Sequence, residues 1–249
     1  MTTNLPSANF YTLDDLNLDL RNQVVDFNNV VLNQLTRATL TRIKNSFTRA
    51  MFVFANGSCF VHVSELGNLL RTGNGAHNYL WQNGIPGYSS SSDPYNIGNN
   101  IYISGPDFCG LLDARIMTTS GTQNIYLRYV RSVYQAITSS EQLTHLRTIF
   151  TNTIDNRRSQ LKHDRMNAYS ITQCEFSGEY IQDTEDVVFA HIDSVATSPL
   201  RALDINNGVI ILREIHDELT RLCIHDFAGM YDFCIENNLD TDWAFYCEP

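Results

Sequence analysis

In the last third of the chain, His191 closes the apolar run Val187-Val188-Phe189-Ala190. Asn207 and Gly208 open a second apolar run, Val209-Ile210-Ile211-Leu212. His216 follows in Arg213-Glu214-Ile215-His216-Asp217-Glu218-Leu219, which has the composition of a helix. An imidazole titrates near neutral pH, so it can take a proton from water or, when neutral, bind a metal ion. Those are two of the needs of phosphodiester hydrolysis: a nucleophile in line with the leaving oxygen, and positive charge on the phosphate, which a divalent ion supplies. Taken singly, each residue has an ordinary explanation. A strand-end histidine is usually a satisfied surface or core residue, Asn-Gly is a common turn, and a helix histidine often faces water. Their order, spacing and local elements together carry the chemical expectation. The other histidines, His62, His77, His145 and His163, form no second set with ligand spacing. No phosphate-binding loop, Gly-x-Ser-x-Gly elbow or dinucleotide fingerprint is present.

Strand, long loop, strand, helix is the order of the ββα-metal fold, and residues 170–235 resemble the HNH endonucleases, in particular the Ala-His-Ile…Asn-Gly…His subgroup. Cys174-Glu175-Phe176-Ser177-Gly178 is similar to the Cys-x-x-x-Gly lead-in of HNH variants without zinc knuckles. The resemblance implies that His191 is the general base and that His216 binds a divalent ion, Mg²⁺ or alternatively Mn²⁺. It implies that Asn207 orients the loop carrying His191 or gives an oxygen to the metal, and that the product is a 5′-phosphate. One departure stands out. The residue before the catalytic histidine is often an Asp or His metal ligand, and here it is Ala190. Asp193, on the same strand face as His191 if the strand continues, or Asp204, in the loop before Asn207, is the expected replacement. The function expected is a metal-dependent endonuclease of phage or restriction type acting on DNA, with RNA left open. The alternative is a catalytically inactive HNH-containing protein that only binds DNA.

An α+β protein has to position these residues, with a mixed domain over 1–165 and the HNH unit with an acidic tail over 166–249. After Asp14 and Asp15, Leu16, Leu20, Val24, Phe27, Val31 and Leu35 recur at spacings of three and four. That spacing predicts one long amphipathic helix, on which a second copy of the chain could dock to form a homodimer. Met51–Ala55 and Cys59–Val63 are predicted strands joined by an Asn56-Gly57-Ser58 turn. A short helix follows over 64–70, then a Gly-, Ser- and Asn-rich loop over 83–100. Residues 101–103 and 124–130 are strand candidates, and 139–161 is predicted helical with a serine cap. The stretch Cys59–Trp81, with Phe60-Val61-His62-Val63-Ser64, Leu69-Leu70 and Tyr79-Leu80-Trp81, resembles KilA-N-type DNA-binding domains.

The chain has 249 residues, 43% hydrophobic and 18% charged, and a net charge of −10 that is unevenly spread. Residues 1–165 hold 14 Lys and Arg against 11 Asp and Glu, a net of +3, whereas 166–249 hold 3 against 16, a net of −13. A polyanion is therefore expected to be gripped by the first part, through Arg157, Arg158, Lys162 and Arg165 just ahead of the nuclease unit. Arg201, Arg213 and Arg221 are the alternative grip. From Asp226 onward there are six acids and no Lys or Arg. This tail packs on the core through Trp243, Phe245 and Tyr246, or else screens the site. No apolar run is long enough to span a membrane, no secretory leader is recognisable, and the six scattered cysteines fit reduced thiols, so a cytoplasmic location is expected.

Overall fold

The computed structural model describes residues 3–5, 9–73 and 75–247. It has a mixed α+β architecture divided into two compact units, Met1–Ile149 and Phe150–Pro249.

In the first unit, strands β1 (Thr3–Leu5), β2 (Phe10–Thr12), β3 (Met51–Phe54), β4 (Cys59–His62), β5 (Pro94–Ile97) and β6 (Asn100–Ser104) form one sheet in the order β1-β5-β6-β4-β3-β2. Strands β1 and β5 pair in parallel, and the other neighbours run antiparallel. The β3–β4 turn forms as its sequence predicts. Gly57 takes φ +78, and the Asn56 side chain accepts the Ser58 N–H at 2.8 Å. Met51, Val53, Cys59, Val61 and Ile103 point from the sheet into a core shared with Phe47, Phe108, Leu127, Val130 and Leu143. The period-two alternation puts Phe52, Phe54, Phe60 and His62 on the other face, where the rings of Phe10, Tyr95 and Tyr102 join them.

The long first helix does not form. Residues 16–28 are turns, a bend and irregular chain, and helix is confined to α1 (Asn29–Leu32) and then α2 (Arg37–Ala50). The asparagines and aspartates in this stretch bond to nearby backbone instead. Asp19 accepts the Arg21 N–H at 2.9 Å, Asn28 accepts those of Val30 and Val31, and Asn17 is left-handed at φ +53. Leu18, Leu20 and Leu35 are buried while Val24 is 85% exposed, so no helical stripe of that length exists there for a second copy to meet. Helices α3 (Leu66–Leu69) and α4 (Ala76–Asn83) follow, and the region read as a loop over 83–100 contains β5. After β6 come α5 (Gly105–Thr118), which the sequence pattern does not announce, and α6 (Gly121–Thr138), which contains the residues expected as a strand over 124–130. Leu127, Val130, Val133, Tyr134 and Ile137 are buried at helical spacing; a seven-residue window is too short to show that period. Helix α7 (Glu141–Tyr169) extends the predicted 139–161 helix, and the division between the two units falls inside it.

In the second unit, β7 (Val187–His191) and β8 (Gly208–Leu212) pair antiparallel, with Val187 opposite Leu212 and His191 opposite Gly208. Helix α8 (Arg213–Arg221) leaves β8 directly, and α9 (Phe227–Glu236) follows. Cys174, Phe176, Ala190, Ile192, Val209, Ile211, Leu219, Phe233 and Trp243 form the core. Of the tail aromatics, Trp243 is buried against Phe176 and Phe227, Tyr246 rests on Tyr169, and Phe245 is 84% exposed. No helix among the described residues is long and apolar enough to cross a membrane.

Candidate active site

Alternation along β7 settles where His191 goes. Val188, Ala190 and Ile192 turn toward the core, so Val187, Phe189 and His191 turn the other way. On α8, Ile215 and Leu219, four apart, pack on the same core. Arg213 and His216, three apart, therefore share another face. These two faces, with Lys162 of α7 and with Val188, Ser194 and Val195 at its borders, line a cleft of about 480 Å³ that takes in Val187, Phe189, His191, Arg213 and His216. The structure thus brings His191 and His216 to one cavity, from a strand end and from a helix.

The His191 ring is held on two sides. Its Nε2 lies 2.9 Å from the Ala202 carbonyl oxygen, and the Phe189 ring meets it edge-on at 5.0 Å. A carbonyl only accepts, so this bond fixes the proton on Nε2. In the neutral ring, Nδ1 then carries the lone pair. Ala202 is fully buried, so its carbonyl meets the imidazole away from solvent.

Asn207 lies at the far end of the loop that starts at His191, and its side chain is 0% exposed. Its Oδ1 accepts the Asp193 N–H at 3.0 Å. Its Nδ2 donates to the Asp193 and Arg201 carbonyls at 3.1 and 3.2 Å. The Ile192 N–H closes the loop onto the Asn207 carbonyl at 3.1 Å. Asn207 is thus a clasp that fixes the chain just beyond His191. Its carboxamide faces the loop interior rather than the cleft, which is a correction to its reading as an oxygen donor to a metal.

The two candidate replacement carboxylates are also engaged in the loop. Asp193 Oδ2 accepts from Arg201 Nη1 at 2.8 Å. Asp204 accepts the Asn206 N–H at 2.9 Å and lies 3.7 Å from Arg201 Nε. Neither lines the cleft, and Ala190 faces the core. No group of three or more His, Cys, Asp or Glu side chains converges among the described residues. Among the described residues, the ligand-type groups that line the cleft are the imidazoles of His191 and His216, while the Ser194 hydroxyl is bonded to Thr197 at 3.0 Å. That set does not cage an ion.

The four basic residues expected on phosphate diverge. Lys162 lines the cleft, and Arg157 is exposed on α7. The Arg158 side chain lies outside the described residues. Arg165 is a correction: its side chain is 0% exposed. It forms a paired bond to Glu175 at 2.6 and 2.9 Å, donates to the Ile205 carbonyl at 2.8 Å, and lies over the Tyr169 ring. Burial works against its charge, but Glu175 and the Cys247 sulfur together outweigh burial and hold the guanidinium above its usual value. Glu175 also accepts the Ile210 N–H at 2.6 Å, tying the Cys174–Gly178 turn to β8. Sequence reasoning missed the Ala202 carbonyl, because every residue carries one and only the folded loop selects which faces the imidazole. It also ranked Arg213 behind the α7 cations, although the helical spacing to His216 was visible.

No protein-family model, curated protein or solved structure matches this chain.

Proposed function

We propose that the chain is an endonuclease of the HNH type that hydrolyses phosphodiester bonds of DNA with the help of a divalent ion, Mg²⁺ or Mn²⁺. The observation that carries this reading is the ββα arrangement that opens His191 and His216 onto one cleft, with Asn207 clasping the loop between them. In this reading the bond from Nε2 to the Ala202 carbonyl holds His191 in the tautomer whose Nδ1 takes a proton from the attacking water. His216 would be the residue that gives such an ion a nitrogen, and the chemistry the ion would supply is charge stabilisation at the phosphate. Asn207 acts at one remove, by fixing the backbone that follows the base.

The test is nicking of supercoiled plasmid by the full chain in Mg²⁺ or Mn²⁺. Cleavage is expected to stop in EDTA. In His191→Ala it is expected to fall by about 10²–10⁴-fold, the usual loss on removing a general base, with the melting temperature little changed. Undiminished cutting by His191→Ala refutes the assignment. A second reading, a DNA-binding protein without catalysis, is favoured by the core-facing Ala190 and the short donor set. DNA retention with no nicking under either ion would select it.

A further inference from the structure

Beyond the two histidines, the cleft contains two permanent cations that arrive from different elements. Lys162 comes from α7 and Arg213 from the first position of α8. Both are tethered to the same short stretch of backbone. Lys162 Nζ donates to the Thr184 carbonyl at 2.7 Å and the Val187 carbonyl at 3.3 Å. Arg213 Nη2 donates to the Glu185 carbonyl at 3.0 Å. An ammonium has three N–H donors and a guanidinium five. Each group therefore keeps donors beyond those that hold it in place. Backbone carbonyls position a cation without cancelling its charge, as a carboxylate would. Among the described residues, no carboxylate lines this cleft. The acids nearest in sequence are Asp217, 76% exposed with its carboxylate 3.8 Å from the His216 ring, and Glu185, Asp186 and Glu214, none of which lines the cleft. Residues 166–249 carry three arginines, Arg213 among them, against sixteen acids, and Lys162 reaches the same cleft from the helix that precedes them. In so acidic a stretch, an anion meets positive charge at this wall.

We propose that Lys162 and Arg213 form a pair that holds a backbone phosphate of nucleic acid in this cleft without a divalent ion. The inference deepens the nuclease reading and rests on it for the identity of the ligand. A site that brings its own positive charge to the phosphate depends less on a bound ion to collect substrate. The two groups differ in recognition: the guanidinium can meet two phosphate oxygens at once, and the ammonium acts as a point charge.

The experiment is a fluorescence-anisotropy titration of a labelled duplex oligonucleotide with the full chain, at low salt and in EDTA. The variants are Lys162→Gln and Arg213→Gln, which remove the charge and keep an uncharged polar side chain on a similar aliphatic stem. The parent is expected to bind in EDTA. Each variant is expected to bind about tenfold or more weakly, the usual loss for a charge-assisted contact, with an unchanged melting temperature. Lys162→Arg, which keeps the charge, is expected to retain most of the affinity, so a folding defect in the glutamine variant would not hide the result. Variant affinities within about twofold of the parent, or parent binding only when Mg²⁺ is added, would overturn the proposal. A second arm uses inorganic phosphate alone and follows the imidazole resonances of His191 and His216. Saturable shifts that vanish in the variants extend the site to any phosphate group, and duplex binding without such shifts confines it to the backbone phosphate. Plasmid nicking is read in parallel. Binding lost in the variants while the parent never nicks keeps the phosphate pair and removes the nuclease reading. Nicking by the parent with unaltered variant binding does the reverse.

Discussion

Replacing Arg165 by methionine removes a fully buried guanidinium and leaves the aliphatic volume in place. The carboxylate of Glu175, only 12% exposed, then loses both charge-assisted bonds, and the Ile205 carbonyl loses its donor. Breaking one side of a buried ion pair leaves an uncompensated charge and costs about 3–5 kcal/mol. A domain of this size has roughly 5–15 kcal/mol of stability in all, so the loss is a large part of the total. At about 4–8 °C per kcal/mol, the second unit should melt at least about 12 °C lower. Trp243 reports this unit, since its ring packs on Phe176 and Phe227 at 5.5 and 5.3 Å. In a Trp81→Phe background, urea unfolding followed by tryptophan emission isolates it. The double variant Arg165→Met with Glu175→Gln should recover part of the loss. The amide oxygen introduced by Glu175→Gln can still accept the Ile210 N–H, and no lone charge remains buried. A loss below about 1 kcal/mol in the single variant, well under the range for a broken buried pair, would refute the structural role of this ion pair. Weakened DNA binding at unchanged stability would point the same way, back to a phosphate-facing Arg165.

Asn207→Ala strips partners from two buried carbonyls and one N–H, and should destabilise the second unit by about 3 kcal/mol in the same urea assay; a fall in metal affinity with stability intact would instead make Asn207 a ligand. Gly208→Ala should cost about 1–3 kcal/mol, because a Cβ there overlaps the Phe189 ring that braces His191. Relief of that loss by Phe189→Leu checks the cause, and no loss at all would contradict the packing. Thiol labelling at pH 8 should modify exposed Cys223 in the folded protein and spare Cys59 and Cys234, whose thiols burial pushes up to about 12 and about 11. The shift favours the protonated form, so their folded-state reactivity should appear only as the pH approaches those values, and ready labelling at pH 8 would show that these sites open.

Several elements were legible in the sequence because a short-range rule specifies them. The turn at Asn56-Gly57 needs one left-handed residue, and Gly57 supplies it. The order of β7, the loop, β8 and α8 followed from two apolar runs and a helical one, and it put His191 at a strand end and His216 on the first turns of a helix. Alternation along β7 and the three-residue step from Arg213 to His216 are also sequence properties, and they set which side chains can face together.

Other features depended on partners distant in sequence. Leu16 to Leu35 had a helical period, but the intervening Asn and Asp side chains found backbone partners, and Leu18 and Leu20 found the core without a helix. Residues 94–97 are a strand because β6 and β1 flank them, not because of an apolar pattern. Arg165 and Lys162 stand three apart on one helix with the same charge, yet one is buried and the other opens on the cleft. Their residue types alone make both positive. Only the packed structure, by putting Glu175 against one and the backbone carbonyls of Thr184 and Val187 against the other, decided which charge holds the fold together and which can meet a ligand.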